Sequence, residues 1–269
     1  MSYLELLKLA SPEAIVVITA LAVLTIGLTT GREAASATVS TAGPTRNAGS
    51  SSSTRSAALC SFVAALGLVI AIGAVLMLPR NATLFGGMLV ITPLTSLFKI
   101  ICIALVFFTL LLTTSEKSLL HPGEYLAIVL LATVGLMLLV GSEELLMIFI
   151  GLELLGLSLY VMAAFDKNDI RSAEAGLKYF LFGSTSSAFT LFGISLIYGM
   201  SGTTSLAAIS AKLATASVQP LLAVGVVMTL VGFSFKIAAA PFHLWAPDAY
   251  QGAPVPSAAF IASGSKVAS

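Results

Sequence analysis

The chain has 269 residues, of which 58% are hydrophobic and only 9% are charged, and its mean hydropathy is +1.04. About a quarter of the residues of a typical soluble domain are charged, so this composition excludes an ordinary soluble protein and indicates an integral membrane protein. The net charge of +1 comes without a basic run and gives no indication of a nucleic-acid partner. Cys60 and Cys102 lie in apolar stretches without metal-ligand spacing and are expected to be buried small hydrophobic side chains.

The apolar stretches are long and uninterrupted, which favours membrane-spanning helices over a membrane β-barrel. After Pro256 only thirteen residues remain, whereas a span needs roughly 20, so the last helix is expected to be truncated. The prediction is an all-α integral membrane protein of about eight spans. They lie at roughly 15–29, 57–78, 99–114, 125–140, 142–165, 173–200, from 220 to a break at Pro241, and over 257–269.

Three polar segments separate these spans. Residues 31–56 are rich in Ser, Thr and Gly and predict a flexible loop outside the membrane. Residues 81–96 contain a Gly-Gly pair and a proline around the β-rich run MLVIT, which predicts a small hairpin on the membrane face. Residues 202–219 predict a polar connection.

The basic residues predict the orientation of the chain, because they concentrate in cytoplasmic loops. The loops after spans one, three and five hold six of them, and the opposite side holds four. The N-terminus is therefore predicted to lie on the outer side. The six are Arg32, Arg46, Arg55, Lys117, Lys167 and Arg171, and the four are Lys8, Arg80, Lys99 and Lys212.

Ser142, Glu143 and Glu144 precede the fifth span. A hydroxyl followed by two acids is typical of a helix start, where it caps the first turn and faces the positive end of the helix dipole. The alternative for both glutamates is a role in a proton path.

The segment 231–266 indicates a helix that is interrupted inside the membrane. Pro241 has no N–H for the carbonyl of Ile237, so a continuous span is not expected, and the break lies about one turn after Lys236. Broken backbone in hydrocarbon is tolerated only where other helices or water satisfy its polar groups. The pattern therefore predicts a hydrated cavity inside a helix bundle.

Four ionisable residues lie within the predicted spans: Glu153, Lys178, Lys236 and Lys266. Charges facing lipid are costly, so all four are expected to face the bundle interior and to find partners. In one interpretation Glu153 and Lys178, on adjacent antiparallel helices, form a merely structural ion pair. Their repetition on four helices favours a proton relay, in which alternating contact between Lys178 and Glu153 loads and unloads Lys236.

Four further residues surround the predicted break. His243 is a candidate to pass protons toward Lys266, since an imidazole titrates near neutral pH, and the alternative is a hydrogen-bonded plug. Trp245 and Tyr250 are interpreted as packing or interface aromatics, and Asp248 as a cap or brace of the broken segment. No cysteine cluster, haem-type histidine pair or glycine-rich nucleotide loop is present, so no redox centre is expected in this chain.

Several segments together resemble a known family. They are LELLGLSLY, AEAGLKYFLFGSTSSAFTLFGISLIYG, GFSFKIAAAPFHLWAPDAYQGAP and GSK, in that order and spacing. They are similar to chain 2 of respiratory NADH:ubiquinone oxidoreductase (complex I), an antiporter-like membrane subunit, over about Glu124 to Ser269. The PDAYQGAP segment favours chain 2 over the related chains 4 and 5, and the 31–56 loop matches nothing in the family.

The resemblance implies a fold and a function. It implies proton-relay roles for Glu153, Lys178, Lys236 and Lys266, and two inverted five-helix units of which only the first is present. We accordingly divide the chain into residues 1–123, the N-terminal spans, and 124–269, the first antiporter-like unit. The implied function is proton translocation coupled to NADH oxidation and quinone reduction in other subunits.

The implied partners are other membrane-arm subunits, membrane lipids and a separate chain that supplies the C-terminal half, an explanation preferred to artificial truncation. NADH, FMN, iron–sulfur clusters and quinone are expected in other subunits, with no cofactor, metal or nucleic acid bound here. The segment AEAGLKYF resembles mitochondrial and related bacterial members of the family. It therefore favours the mitochondrial inner membrane, and a bacterial plasma membrane is the alternative.

Two other functions stay open at this point. The chain could be half of a cation/proton antiporter, which would exchange sodium for protons without NADH. It could also be a structural membrane-arm subunit whose charges only brace helices.

Overall fold

The computed structural model of the protein describes residues 3–40, 48–116, 119, 121–215 and 219–268. In this part of the chain we see twelve α-helices and one β-hairpin, which confirms the predicted all-α class. The helices are α1 Tyr3–Leu9, α2 Ser11–Ser40, α3 Ala48–Leu76, α4 Pro93–Ser115, α5 Pro122–Val140, α6 Leu145–Ala163, α7 Ile170–Ser201, α8 Leu206–Thr215, α9 Pro220–Lys236, α10 Trp245–Gly252, α11 Val255–Ala262 and α12 Gly264–Val267. The strands are β1 Ala82–Leu84 and β2 Leu89–Ile91, joined by a short 3-10 turn at Phe85–Gly87.

Six of the described helices are long and apolar enough to cross a membrane. α9 is apolar but has only 17 residues, and the predicted eighth span is two short helices, α11 and α12, which meet at Ser263. The seventh and eighth predicted spans are thus both interrupted. The six long segments are Ser11–Thr30, Ser56–Leu76, Pro93–Ser115, Pro122–Val140, Leu145–Ala163 and Ile170–Ser201.

The loop predicted at 31–56 is wrong over most of its length. α2 continues to Ser40 and α3 begins at Ala48, while residues 41–47 lie outside the described residues. The run from Arg32 to Ala35 contains good helix formers, and a helix already nucleated in a span extends readily. The connection predicted at 202–219 contains a short helix, α8.

The hairpin predicted at 81–96 is confirmed. β1 pairs antiparallel with β2, with Ala82 opposite Ile91 and Leu84 opposite Leu89. Leu84, Leu89 and Ile91 are buried in a small apolar cluster that also contains Met147 of α6. The hairpin therefore packs beside the start of α6, and β2 also bridges to Ser142.

Lys99 lies inside the helix bundle, which corrects its placement in a loop. Thr92 and Thr95 form a capping box, so α4 begins at Pro93 and Lys99 is in its second turn. The Lys99 ammonium donates to the Glu13 carboxylate of α2 at 2.6 Å, and these side chains are only 4% and 11% exposed. Without Lys99, six basic residues remain in the loops after spans one, three and five, and three remain on the opposite side. The orientation of the chain stays a prediction.

Glu144, and not the predicted Ser142, caps the start of α6. The backbone of Glu144 is extended, and its carboxylate accepts from the Met147 N–H at 2.8 Å. The Ser142 hydroxyl instead donates to the carbonyl of Leu138. A proton-path role for Glu143 or Glu144 stays a prediction.

The helix break begins earlier than predicted. α9 ends at Lys236, and residues 237–244 form turns that include Pro241 and a left-handed Ala238 with φ 56°. Proline has no N–H to donate to the carbonyl four residues before it, so the hydrogen bonds of the preceding helical turn are disrupted. Its carbonyls find new donors: the carbonyl of Phe235 accepts from the Trp245 indole N–H at 3.0 Å, and that of Ile237 accepts from the Lys266 ammonium at 2.8 Å.

α7 and α9 approach each other backbone to backbone where two glycines meet. A Cβ at Gly193 would lie 2.6 Å from the Gly225 carbonyl oxygen, and one at Gly225 would lie 3.0 Å from the Gly193 carbonyl oxygen. Small residues permit such close helix packing in membranes. The approach brings the C-terminal end of α9, with Lys236, against the polar face of α7.

Candidate functional site

A small polar cavity lies between α6, α7 and α9. Its volume is about 20 Å³, which is room for about one water molecule. Glu153 of α6 and Lys236 of α9 both line it, so the structure brings these two predicted site residues around one small cavity. The other polar lining residues are Tyr160, Ser186, Ser187 and Thr190, and the apolar ones are Phe149, Leu152, Gly183, Gly232 and Phe235.

Helical periodicity places the α7 residues of this cavity on one face, since Gly183, Ser186, Ser187 and Thr190 are spaced by three or four. The Ser187 hydroxyl donates to the carboxylate of Glu153. The Ser186 hydroxyl is buried and has no hydrogen-bond partner among the described residues. A buried hydroxyl of this kind beside a water-sized cavity is typical of a bound-water position.

Sequence reasoning missed the serines as polar groups of the site. The pattern that could have found them is the three-to-four residue spacing of hydroxyls on one face of α7, opposite the face that carries Lys178.

Lys236 is the last residue of α9 and is 5% exposed. The C-terminal end of a helix carries partial negative charge, which favours a cation at this position. The ion pairs found among the described residues do not include Lys236. A buried ammonium needs hydrogen-bond acceptors, and the cavity offers the Glu153 carboxylate and space for water.

Lys178 does not reach this cavity, and the structure does not bring it to Glu153. Its ammonium pairs with Glu174 at 2.7 Å and with Asp248 of α10 at 2.8 Å. Ser187, which holds Glu153, lies nine residues further along α7, about 13 Å along the axis and half a turn around it. The predicted contact between Glu153 and Lys178 left out this rotation, which turns Lys178 toward α10.

Lys266 lies at the break that follows Lys236. Its ammonium donates to the carbonyl of Ile237 and lies 5.7 Å from the centroid of the Trp245 ring. A cation above an indole is stabilised by the negative face of the ring. Lys266 is therefore held next to the residue that directly follows Lys236.

The imidazole of His243 is exposed in this chain, in the turn between α9 and α10. The hydrogen bond of the Lys266 ammonium goes to a backbone carbonyl and not to His243. The predicted relay role of His243 therefore stays a prediction.

The packing role predicted for Trp245 is confirmed. Trp245 is 1% exposed and stacks on Tyr179 of α7, with ring centroids 4.3 Å apart and an interplanar angle of 4°. Tyr160 meets Tyr179 edge-on at 4.7 Å. Tyr160 of this aromatic cluster also lines the cavity of Glu153 and Lys236.

The arrangement fits transfer of a proton better than transfer of electrons or binding of a metal. An amine, a carboxylate, hydroxyls and room for water are groups that accept and donate protons. Among the described residues, no three His, Cys, Asp or Glu side chains come together as metal ligands.

Residues 142–269 match the family described as NADH:quinone oxidoreductase/Mrp antiporter, TM. The match contains α6, α7 and α9 and thus the whole cavity. The match begins at residue 142. The predicted division of the chain into N-terminal spans (1–123) and an antiporter-like unit (124–269) stays a prediction.

Curated relatives are similar to a larger part of the chain. The NADH-quinone oxidoreductase subunit N 2 of Acidobacterium capsulatum is 49% identical over 208 residues, which are 73% of this chain and 41% of the relative. Subunit N of Moorella thermoacetica is 41% identical over 209 residues, or 77% of this chain and 44% of the relative. The chain therefore spans less than half the length of these relatives.

Solved structures give the same fold. Respiratory complex I from Thermus thermophilus contains a chain with a TM-score of 0.73 and 28% identity, which covers 96% of this chain and 51% of its own length. A chain of the archaeal membrane-bound sulfane sulfur reductase has a TM-score of 0.72 at 22% identity and supports the fold alone. The named subunit N relatives are bacterial, so the predicted mitochondrial membrane has no support from them.

Proposed function

We propose that this chain is a proton-translocating, antiporter-like subunit in the membrane arm of a respiratory NADH:quinone oxidoreductase. One observation carries the proposal: Glu153 and Lys236 share a water-sized cavity at a helix break, inside the segment of the antiporter family. Oxidation of NADH and reduction of quinone take place in other subunits, which bind NADH, FMN, iron–sulfur clusters and quinone. Their redox energy drives protons through this chain.

In the proposed path, a proton moves between the Glu153 carboxylate and the Lys236 amine through one water in the cavity. Ser187 orients the carboxylate, and the unpaired hydroxyl of Ser186 holds the water. The next proton carrier is Lys266. Its ammonium donates to the carbonyl of Ile237, the residue after Lys236. His243 provides access to water at the exposed turn.

Replacement of Lys236 tests this function. In the purified assembled complex, reconstituted in vesicles, Lys236→Ala is expected to lower NADH-driven proton uptake by about tenfold or more, the scale of a lost acid–base group. Lys167→Ala, in the exposed turn between α6 and α7, is the matched control and leaves pumping unchanged. Normal pumping by Lys236→Ala in a fully assembled complex would sink the proposal.

The same vesicles separate the two alternative functions. Half of a cation/proton antiporter would exchange sodium for protons in the absence of NADH. A structural subunit would lose assembly on charge neutralisation, while the complexes that do assemble would keep the normal ratio of protons to electrons.

We further propose that the chain resides in a bacterial plasma membrane, among lipids and other membrane-arm subunits. The bacterial relatives support this location. Mass spectrometry of the purified native complex identifies the accompanying chains. A preparation in which this chain migrates alone would contradict the assembly.

A further inference from the structure

Asp248 joins the broken segment to α7 through a charge that the proposed relay does not use. Its carboxylate accepts from the Lys178 ammonium at 2.8 Å, across 70 positions of sequence. The neighbouring residue on α7, Tyr179, stacks on Trp245 at the start of α10. Asp248 and Trp245 are three residues apart, so α10 contacts α7 through one of its faces.

The far end of α10 fits against α7 with no space to spare. A Cβ at Gly252 would lie 2.5 Å from the carbonyl oxygen of Arg171 and 2.7 Å from the Ala175 side chain. Beside this contact lies a polar cleft of about 200 Å³, lined by Asp248 and Glu174. α10 is therefore seated on α7 by a ring stack, an ion pair and a backbone contact, and the ion pair alone carries charge.

The packing of α10 on α7 fixes the position of Trp245, and Trp245 contacts residues on both sides of the helix break. Its indole N–H donates to the carbonyl of Phe235, the residue before Lys236. Its ring lies under the ammonium of Lys266. A shift of α10 on α7 therefore moves a group that contacts the environments of both lysines.

We propose that Asp248 is a positioning residue that couples Lys178 to the step between Lys236 and Lys266 by holding α10 in place. Lys178 then acts on the central lysine through Asp248 and Trp245, and not through direct contact with Glu153. The inference rests on the proposed function, since it names how a further residue controls that site.

Glu174 provides the matched comparison. It pairs with the same ammonium at 2.7 Å, but it lies on the same helix as Lys178, four residues away. Removing its charge leaves the ion pair between α10 and α7 intact, whereas removing the charge of Asp248 breaks that pair and leaves only the ring stack and the backbone contact. The two substitutions, Asp248→Asn and Glu174→Gln, remove one acid each from the same lysine.

The experiment uses the intact complex and two measurements, hydrogen–deuterium exchange of the 237–253 segment and NADH-driven pumping. Asp248→Asn is expected to speed exchange in that segment at least about twofold, because the tie that limits local opening is lost. Pumping falls about fivefold, within the range of coupling between residues in contact. Glu174→Gln keeps both values near wild type, and Asp248→Glu restores most of both.

A background without Lys178 distinguishes coupling from a local effect of Asp248 on its own helix. In Lys178→Met, the further change Asp248→Asn is expected to add no more loss of pumping. An equal additional loss, or equal behaviour of Asp248→Asn and Glu174→Gln, would overturn the inference. If Asp248→Asn does not assemble, Lys178→Met alone serves, and normal exchange with normal pumping in that variant overturns it.

The failure of this inference is distinguishable from failure of the proposed function. If Lys236→Ala abolishes pumping and Asp248→Asn behaves like Glu174→Gln, the relay stands and the role of Asp248 is lost. If Lys236→Ala pumps normally, the proposed function itself is lost.

Discussion

Two lysines in this protein, Lys99 and Lys178, show how differently a membrane bundle can hold a charged side chain. Lys99 has one partner, Glu13, at 2.6 Å, and the pair is sealed between α2 and α4 with 4% and 11% of its side chains exposed. Lys178 has two partners, Glu174 and Asp248, and its side chain is 39% exposed. Neither arrangement could be deduced from the lysines themselves.

The two lysines differ in how readily they can change ion-pair partners. A sealed pair has no other partner to move to, and breaking it leaves an uncompensated buried charge. A lysine between two acids beside an open cleft can give up one contact and keep the other. We infer that the Lys99 pair fixes the N-terminal helices, whereas the Lys178 cluster can change its contacts during function.

The largest effect is expected from Lys99→Met. It leaves the Glu13 carboxylate buried without a partner, and breaking a buried pair on one side costs about 3 to 5 kcal/mol in free energy of unfolding. The amount of chain in membranes and the melting temperature of the complex measure this loss. Lys8→Met, at an exposed lysine of α1, is the control, and equal abundance of the two variants would contradict a sealed structural pair.

Lys178→Met comes next and should change function more than abundance. The cluster is open to its surroundings, so the chain is expected to accumulate at near wild-type levels. Pumping falls about fivefold, because α10 loses its charged tie to α7. A variant that is scarce in membranes but pumps normally per complex would show that Lys178 is structural, like Lys99.

A smaller effect is expected from Ser187→Ala, which removes the hydroxyl that orients Glu153. A hydrogen bond to a charged group contributes about 1.5 to 3 kcal/mol. Because water in the cavity replaces part of this energy, pumping is expected to fall about threefold. Ser184→Ala, whose hydroxyl bonds only within its own helix, is the control. Equal pumping by both variants would remove Ser187 from the site.

The smallest effect is expected when both members of the sealed pair are replaced. Glu13→Leu with Lys99→Met removes both charges and leaves apolar side chains of similar size, an exchange that is often neutral or stabilising. Abundance and pumping are expected to return to wild-type values. If the double variant is abundant but does not pump, the Glu13–Lys99 pair belongs to the proton path.

Local rules predicted most of the helices and the hairpin, because each depends on the residues of its own segment. The break was predicted from Pro241 by the same reasoning, and only its starting point differed. The loop prediction at 31–56 was wrong, because its Ser, Thr and Gly content was given more weight than helix extension from the neighbouring spans.

For the site, sequence selected the ionisable residues and the structure decided their partners. Glu153 and Lys236 do meet around one cavity, as the constellation indicated. Lys178 turns to Asp248, because the helical rotation between positions 178 and 187 places it on the other face of α7. Partners depend on which faces of different helices meet, and no single segment contains that information.

What the chain determined by itself was its affinity for the membrane, the helical class, the interruption after Lys236 and the set of groups able to carry protons. These follow from side-chain hydrophobicity, from the missing N–H of proline and from the ionisable side chains. Tertiary structure alone decided that Lys99 is sealed with Glu13, that serines of α7 complete the cavity, and that Asp248 holds Lys178. Each of those contacts joins residues far apart in sequence, whose approach is fixed by the packing of whole helices.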